Sequence, residues 1–322
     1  MINISPSNIS SIANQYSAII EGHIKSKDRS RSNDGLLEKK LGSTLYSALW
    51  DIIRQTYANP CFSYISNSIV KKKLTNIYRR KKVYPTREEF LKKVRNTYFN
   101  YDYNMDIILP NSSDKKLSYW LIEKLDVKTC PYCNRQYTSL IDINNSKFRP
   151  ELDHFHNKST YRYLASSFYN LIPSCAICNH IKKTKEIGIH PYLENFGDDC
   201  RFNISSFKEC LIRGNHNRWK LRLKVNTLNN DKKVKIRKNI EVLGLNHFYK
   251  HHKDIASEIA VKAIAYSDDS FKNIIETFPK QRLNGHEMKT LVFGFPTEEK
   301  ELGARPLAKL ARDILDQIGV DL

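Results

Sequence analysis

No run of apolar residues in this sequence approaches the roughly 20 that a membrane-spanning helix needs. Residues 1–8 show neither the charged start nor the apolar stretch of a secretory signal. Both absences predict a cytoplasmic protein with no membrane role. Internal repeats and long low-complexity tracts are missing too. So is the G-x-x-x-x-G-K-S/T loop that cradles nucleotide phosphates, and any nucleotide dependence must therefore come from a partner. Negative charge is scarce: 34 Asp+Glu stand against 53 Lys+Arg, a net +19. Such an excess favours a polyanionic partner, because each neutralised phosphate releases condensed counterions. Solubility is the plainer use of the same charge.

What is present fits a globular chain: 322 residues, 40% apolar and 11% aromatic, enough for one large domain or two modest ones. The 18 Tyr and 14 Phe include rings able to stack on bases, though most aromatics in such a chain are core. Seven cysteines is an odd number. Four form two C-x-x-C pairs, Cys130/Cys133 and Cys175/Cys178, which in a chain without a secretory signal read as zinc ligands before disulfides. Cys61, Cys200 and Cys210 are scattered and read as small buried apolar side chains.

Apolar spacing predicts helices up to about residue 125. Leu36, Leu37, Leu41, Leu45, Leu49, Ile52 and Ile53 share one helical face, and Thr86 with Glu89 forms a capping box. Trp120, Leu121, Ile122 and Leu125 mark a last helix before the cysteines. Residues 137–143 and 147–153 read as strands joined by a turn at Asn144-Asn145-Ser146, with a short helix or turn over 161–169 and another helix from Cys178. Further on, residues 219–225 alternate as a strand from Trp219, and 232–243 and 248–266 return to helical spacing. The segment 298–318 is helical with a break or kink at Pro306.

Two C-x-x-C knuckles present four thiolates to one ion, a closed tetrahedral arrangement that is structural rather than catalytic. Between them lie Glu151-Leu152-Asp153-His154-Phe155, Lys158-Ser159 and Asn170-Leu171-Ile172-Pro173-Ser174; Asn179 follows the last cysteine, with Lys182 and Lys183 beyond. These residues resemble the HNH endonuclease superfamily. The order and spacing over about sixty residues are similar to the branch patterned D-H-F-x-P-K-S, N-L-I/V-P-S-C-x-x-C-N-x-x-K, which includes nucleases of Septu and retron-type antiphage defence systems. His190-Pro191-Tyr192 fits a recurrent tail of that branch.

The resemblance implies an α+β, mainly α fold: a ββα-metal core at 126–195, stapled by a four-cysteine zinc site, between helical regions at 1–125 and 196–322. It implies a metal-dependent endonuclease. His154 is the general base, as neutral imidazole can take a proton from water near physiological pH. Asp153 and Asn179 ligate a catalytic magnesium or manganese ion, hard cations that prefer oxygen. Asn170 braces the loop and helps fix the base. His190 has two roles open to it, a metal or phosphate contact or a loop histidine, and Glu151 either assists the cation or pairs with Arg149 or Lys158. His156 is a neighbour of the site, and Asn157 stands where the family often has proline. Lys158, Lys182 and Lys183 are candidates for a substrate phosphate.

Basic clusters at Lys71–Lys73 with Arg79–Lys82, at Lys182, Lys183 and Lys185, and at Lys232–Lys238 would form a phosphate groove if they converge. DNA is the expected substrate, with RNA such as tRNA open to the same site; a zinc-stabilised binding adaptor is the non-enzymatic alternative. The resemblance further implies an ATPase partner in prokaryotic antiviral defence.

Overall fold

The computed structural model describes residues 2–4, 6–30, 37–60, 67–109, 115–143, 146–205, 220–266 and 285–319. Leu36, Cys61, Asn144, Asn145, Cys210 and Trp219 lie outside the described residues. The described chain is mostly helical with small two-stranded sheets. No helix in it is long and apolar enough to cross a membrane.

The first 125 residues hold seven helices among the described residues: α1 (Ile9–Ser30), α2 (Leu37–Leu41), α3 (Ser43–Ala58), α4 (Asn67–Arg80), α5 (Arg87–Tyr98), α6 (Tyr101–Met105) and α7 (Leu117–Leu125). α1 buries Ile12, Ala13, Tyr16, Ile20 and Ile24, a stripe at the three- and four-residue spacing of one helical face. The apolar face predicted to run unbroken to Ile53 is interrupted at Gly42, whose φ of 82° splits it into α2 and α3. A residue with a Cβ would be strained there. Leu37, Leu41, Leu49 and Ile53 are nevertheless all buried. Thr86 caps α5 as its spacing predicts, its hydroxyl accepting the Glu89 N–H at 3.2 Å.

The strand reading needs revision. β1 (Ile141–Ile143) and β2 (Ser146–Phe148) form one antiparallel pair. The second predicted strand then breaks at Arg149-Pro150, and its remainder, β3 (Glu151–His154), pairs with β4 (Leu171–Ser174) in the register Glu151↔Ser174 to His154↔Leu171. Pro173 opposite Leu152 is tolerated because β4 pairs on one side only. One-turn 3₁₀ segments at Arg162–Leu164 and Phe168–Asn170 lie in the connection, and α8 (Ala176–Lys182) follows β4 directly. The unit that positions the site is thus β3–β4–α8.

Beyond it, β5 (Cys200–Ser205), which the sequence did not signal, pairs with β6 (Lys220–Val225). Five helices follow among the described residues: α9 (Asn230–Val242), α10 (Leu245–Tyr249), α11 (Lys253–Ala265), α12 (Gly285–Phe293) and α13 (Ala308–Ile318). Pro306 precedes α13 rather than kinking it. Buried apolar side chains from all three stretches, Ile4 through Leu315, join in one core cluster, so the flanking helices wrap the central unit.

Candidate active site

Cys130, Cys133, Cys175 and Cys178 are all buried, and their sulfurs lie within 4.8 Å of one another. A zinc–sulfur bond of about 2.3 Å gives a tetrahedral edge of about 3.8 Å; Cys133 Sγ and Cys175 Sγ are 3.9 Å apart. The donor set therefore fits a structural zinc ion. Four buried thiolates would be insupportable without a cation, and their protons are already unevenly held. Hydrogen bonds from Cys130 hold Cys133 and Cys175 below the ordinary thiol value, while burial pushes Cys130 up.

Local geometry makes each knuckle. Asn134 sits at φ 50°, and the Cys133 and Asn134 N–H groups both donate to the Cys130 carbonyl, at 3.2 and 2.7 Å. The Asn134 amide donates to the Leu302 carbonyl and its Oδ1 accepts the Lys309 N–H, which ties this knuckle to α13. Cys175 is the N-cap of α8 and its sulfur accepts the Cys178 N–H at 3.5 Å. Cys200 lies apart in β5, buried, with its thiol pushed up to about 12 by that burial; it is the inert apolar cysteine expected of it.

His154 ends β3 and is partly buried. Its Nε2 lies 3.0 Å from the Ala165 carbonyl. A carbonyl only accepts, so Nε2 carries the proton and Nδ1 keeps the lone pair. Nδ1 has no hydrogen-bond partner among the described residues. The imidazole packs edge-on against Tyr101 at 4.4 Å, and burial, aided by the charges of Lys158 and Lys182, holds its pKa down to about 4. At neutral pH the ring is an uncharged acceptor of fixed orientation.

Asn170 fixes the loop that supplies Ala165. Fully buried, it accepts the His156 N–H at 2.7 Å and donates to the carbonyls of His156 (3.0 Å) and Leu164 (2.9 Å). These bonds hold the loop between His156 and Leu164. Asn157 orders its turn by accepting from the Ser159 N–H and hydroxyl at 3.0 and 3.1 Å. Asn67, which sequence reasoning missed, donates to the Thr160 carbonyl and accepts the Tyr163 N–H, joining α4 to the same loop.

Asp153 is placed differently from its expected role. It is 3% exposed; Oδ2 accepts the Tyr132 hydroxyl at 2.6 Å and lies 3.1 Å from Lys182 Nζ, while Oδ1 lies 3.2 Å from the same ammonium. Lys182 is 0% exposed and also donates to the His154 carbonyl at 2.6 Å. As arranged, Asp153 does not fit a divalent cation, because an ammonium already occupies its oxygens. Lys182 accordingly is not a substrate contact, because burial and pairing consume its charge. Among the described residues, no other group of three or more His, Cys, Asp and Glu side chains draws together as the cysteines do.

The remaining candidates separate. Asn179 donates to Glu151 Oε2 at 2.6 Å, and His180 lies 3.6 Å from Oε1, so Glu151 pairs with α8 rather than with Arg149 or Lys158. The Asn179 side-chain Oδ1 takes no hydrogen bond among the described residues. His190 is buried against Phe155 at 4.1 Å, its Nδ1 accepting the Tyr192 N–H; it is a core histidine rather than a metal or phosphate ligand. Lys158 is exposed over the Tyr101 ring and 3.4 Å from Asp102, and Lys183 is exposed at φ 47°. In the third basic cluster, Lys232, Lys235 and Lys238 pair with Asp199, Glu194 and Glu186, which removes much of its field. Tyr132, Tyr101 and the Ala165 carbonyl were also missed; only Tyr132, inside the first C-x-x-C, carried a positional signal.

Compared with family models, curated proteins and solved structures, the chain matches none.

Proposed function

We propose that the chain is an HNH-type endonuclease that hydrolyses phosphodiester bonds in DNA, with His154 as general base and the four cysteines holding a structural zinc. The observation that carries this reading is His154: a neutral imidazole, its Nε2 proton committed to Ala165, its Nδ1 lone pair left for water. Water adds to phosphorus as its proton passes to Nδ1. One ester P–O bond breaks, and the departing oxygen takes a proton from solvent. The net charge of +19 suits the substrate, and Lys158 and Lys183 stand exposed on the same unit to meet its phosphates. Magnesium or manganese would have to displace Lys182 from Asp153 or open the Glu151–Asn179 pair to bind beside His154. From the sequence resemblance alone, the proposal extends to an antiviral role beside an ATPase partner.

The test is nicking of supercoiled plasmid, with tRNA in parallel, in magnesium, in manganese and in chelator. His154→Ala should lower the rate roughly 10²- to 10⁴-fold, the range of general-base catalysis, with zinc content unchanged. Binding without cleavage of DNA or RNA, or a variant as fast as the wild type, defeats the reading. Cleavage of tRNA alone moves the substrate to RNA.

A further inference from the structure

A second charged feature is built partly from the loop that fixes His154. α4, α5 and that loop enclose a cavity of about 360 Å³, lined by Lys71, Lys92, Arg95 and Arg162 with Asn67 and Glu88. Four cations face one carboxylate, and Glu88 is shared: Arg87 holds it at 2.8 Å, while Lys71 is 3.9 Å away. Lys92, Arg95 and Arg162 have no carboxylate partner among the described residues. Like charges gathered in a concavity repel one another, and an anion entering it relieves that repulsion.

The walls are held in place. Asn67 bonds to both Thr160 and Tyr163, so the loop bearing Arg162 is fixed to the start of α4. Arg162 Nε donates to the Ser159 carbonyl at 3.2 Å, leaving its terminal nitrogens to point elsewhere. Arg95 is partly buried in the last turn of α5. Two guanidinium forks and two ammonium groups in a polar cavity match the oxygens of a phosphate group.

We propose that this cavity is a phosphate-binding subsite, and that its phosphate belongs to the backbone of the nucleic acid strand held at His154. The second half rests on the nuclease reading. Arg162 lies one short turn before Ala165 in the chain, so a strand seated here would press on the segment that orients the base.

The test uses the full chain carrying His154→Ala, so that binding is read without cleavage. Arg95→Gln with Arg162→Gln is compared with Arg237→Gln plus Lys250→Gln, an equal charge loss on α9 and after α10. Fluorescence anisotropy of a labelled duplex is followed against potassium chloride, and binding of inorganic phosphate and of AMP is followed by calorimetry. The cavity variant should bind DNA roughly 10-fold more weakly, with a salt slope shallower by about 1 to 2, while the control changes little. Lost phosphate or AMP binding with unchanged DNA binding keeps the subsite and assigns it to a free ligand. Equal losses in the two variants, or none in either assay, overturn the subsite. Normal DNA binding by the chain with His154 intact, with no cleavage in the plasmid and tRNA assays, would sink the nuclease reading and leave the subsite standing.

Discussion

Lys182→Met is the perturbation that separates two accounts of Asp153. The methionine retains most of the apolar stem of a residue 0% exposed but removes the ammonium that meets both Asp153 oxygens and the His154 carbonyl. Asp153, 3% exposed, keeps the Tyr132 hydroxyl and a backbone hydrogen bond from His154. Stranding one member of a buried ion pair typically costs about 3–5 kcal/mol. The surviving Tyr132 bond and protonation of the carboxyl place the expected loss at the lower end, about 3 kcal/mol. Asp153→Asn should cost a similar amount, since the ammonium then keeps only neutral oxygens. Asp153→Asn with Lys182→Met leaves no buried charge and should lose less than either single change. Urea unfolding of the four proteins at pH 7, with zinc content measured on each, closes the cycle. A Lys182→Met chain destabilised by less than about 1 kcal/mol would show that the pair is not buried as described. So would manganese binding by the wild type that Asp153→Asn abolishes: the carboxylate would then be open to a cation.

Two further outcomes follow from the same structure. Burial holds His190 down to about 3 against an ordinary value near 6.5, so the unfolded chain takes this proton first as pH falls. Its contribution to stability is complete above pH 6.5 and is lost on the way down to about 3, by about 2 kcal/mol between pH 6.5 and 5. Urea midpoints measured from pH 7 to 5 should fall less steeply, by one proton, in His190→Gln; an unchanged slope refutes the burial argument. Cys178→Ser removes one of four zinc donors and should leave the protein metal-poor with a sharply lowered melting temperature. Wild-type zinc and wild-type melting in that variant would remove the cluster from the fold's stability.

The sequence was most legible where chemistry is carried by rare residue types at short spacing. Two C-x-x-C pairs forty-odd residues apart predicted the cluster of four cysteines that the fold brings together. Periodicity likewise found α7 and α9 within a residue or a few, while for α13 it matched the end but began ten residues early. It failed where one residue changes the backbone's course. Gly42 sits inside an apolar pattern that continues across it, so the break between α2 and α3 left no trace in the spacing. Pro150 ended one strand pairing and began another, and the partner strand β4 contains a proline that argues against strand at sight. Lys182 was misread for a more general reason. Lysine is exposed by default, and only the fold reveals that a carboxylate, a carbonyl and α8 enclose this one. Backbone groups such as the Ala165 carbonyl have no sequence signature at all.

The cluster and the base are not independent parts. Tyr132 lies inside the first knuckle and donates to Asp153, the residue before His154. The second knuckle starts α8, which carries Lys182 one turn beyond Cys178, and Lys182 holds the same carboxylate and the His154 carbonyl. Both knuckles therefore reach one buried ion pair, and β3 is held between them at the end that carries His154. The Ala165 carbonyl then sets the imidazole from the loop, which Asn170 holds through the backbone of His156 and Leu164. A hairpin of four-residue strands would be too short to orient a base by its own pairing. The cysteine cluster, with a zinc ion that its donors fit, would supply the missing rigidity to the element that bears His154.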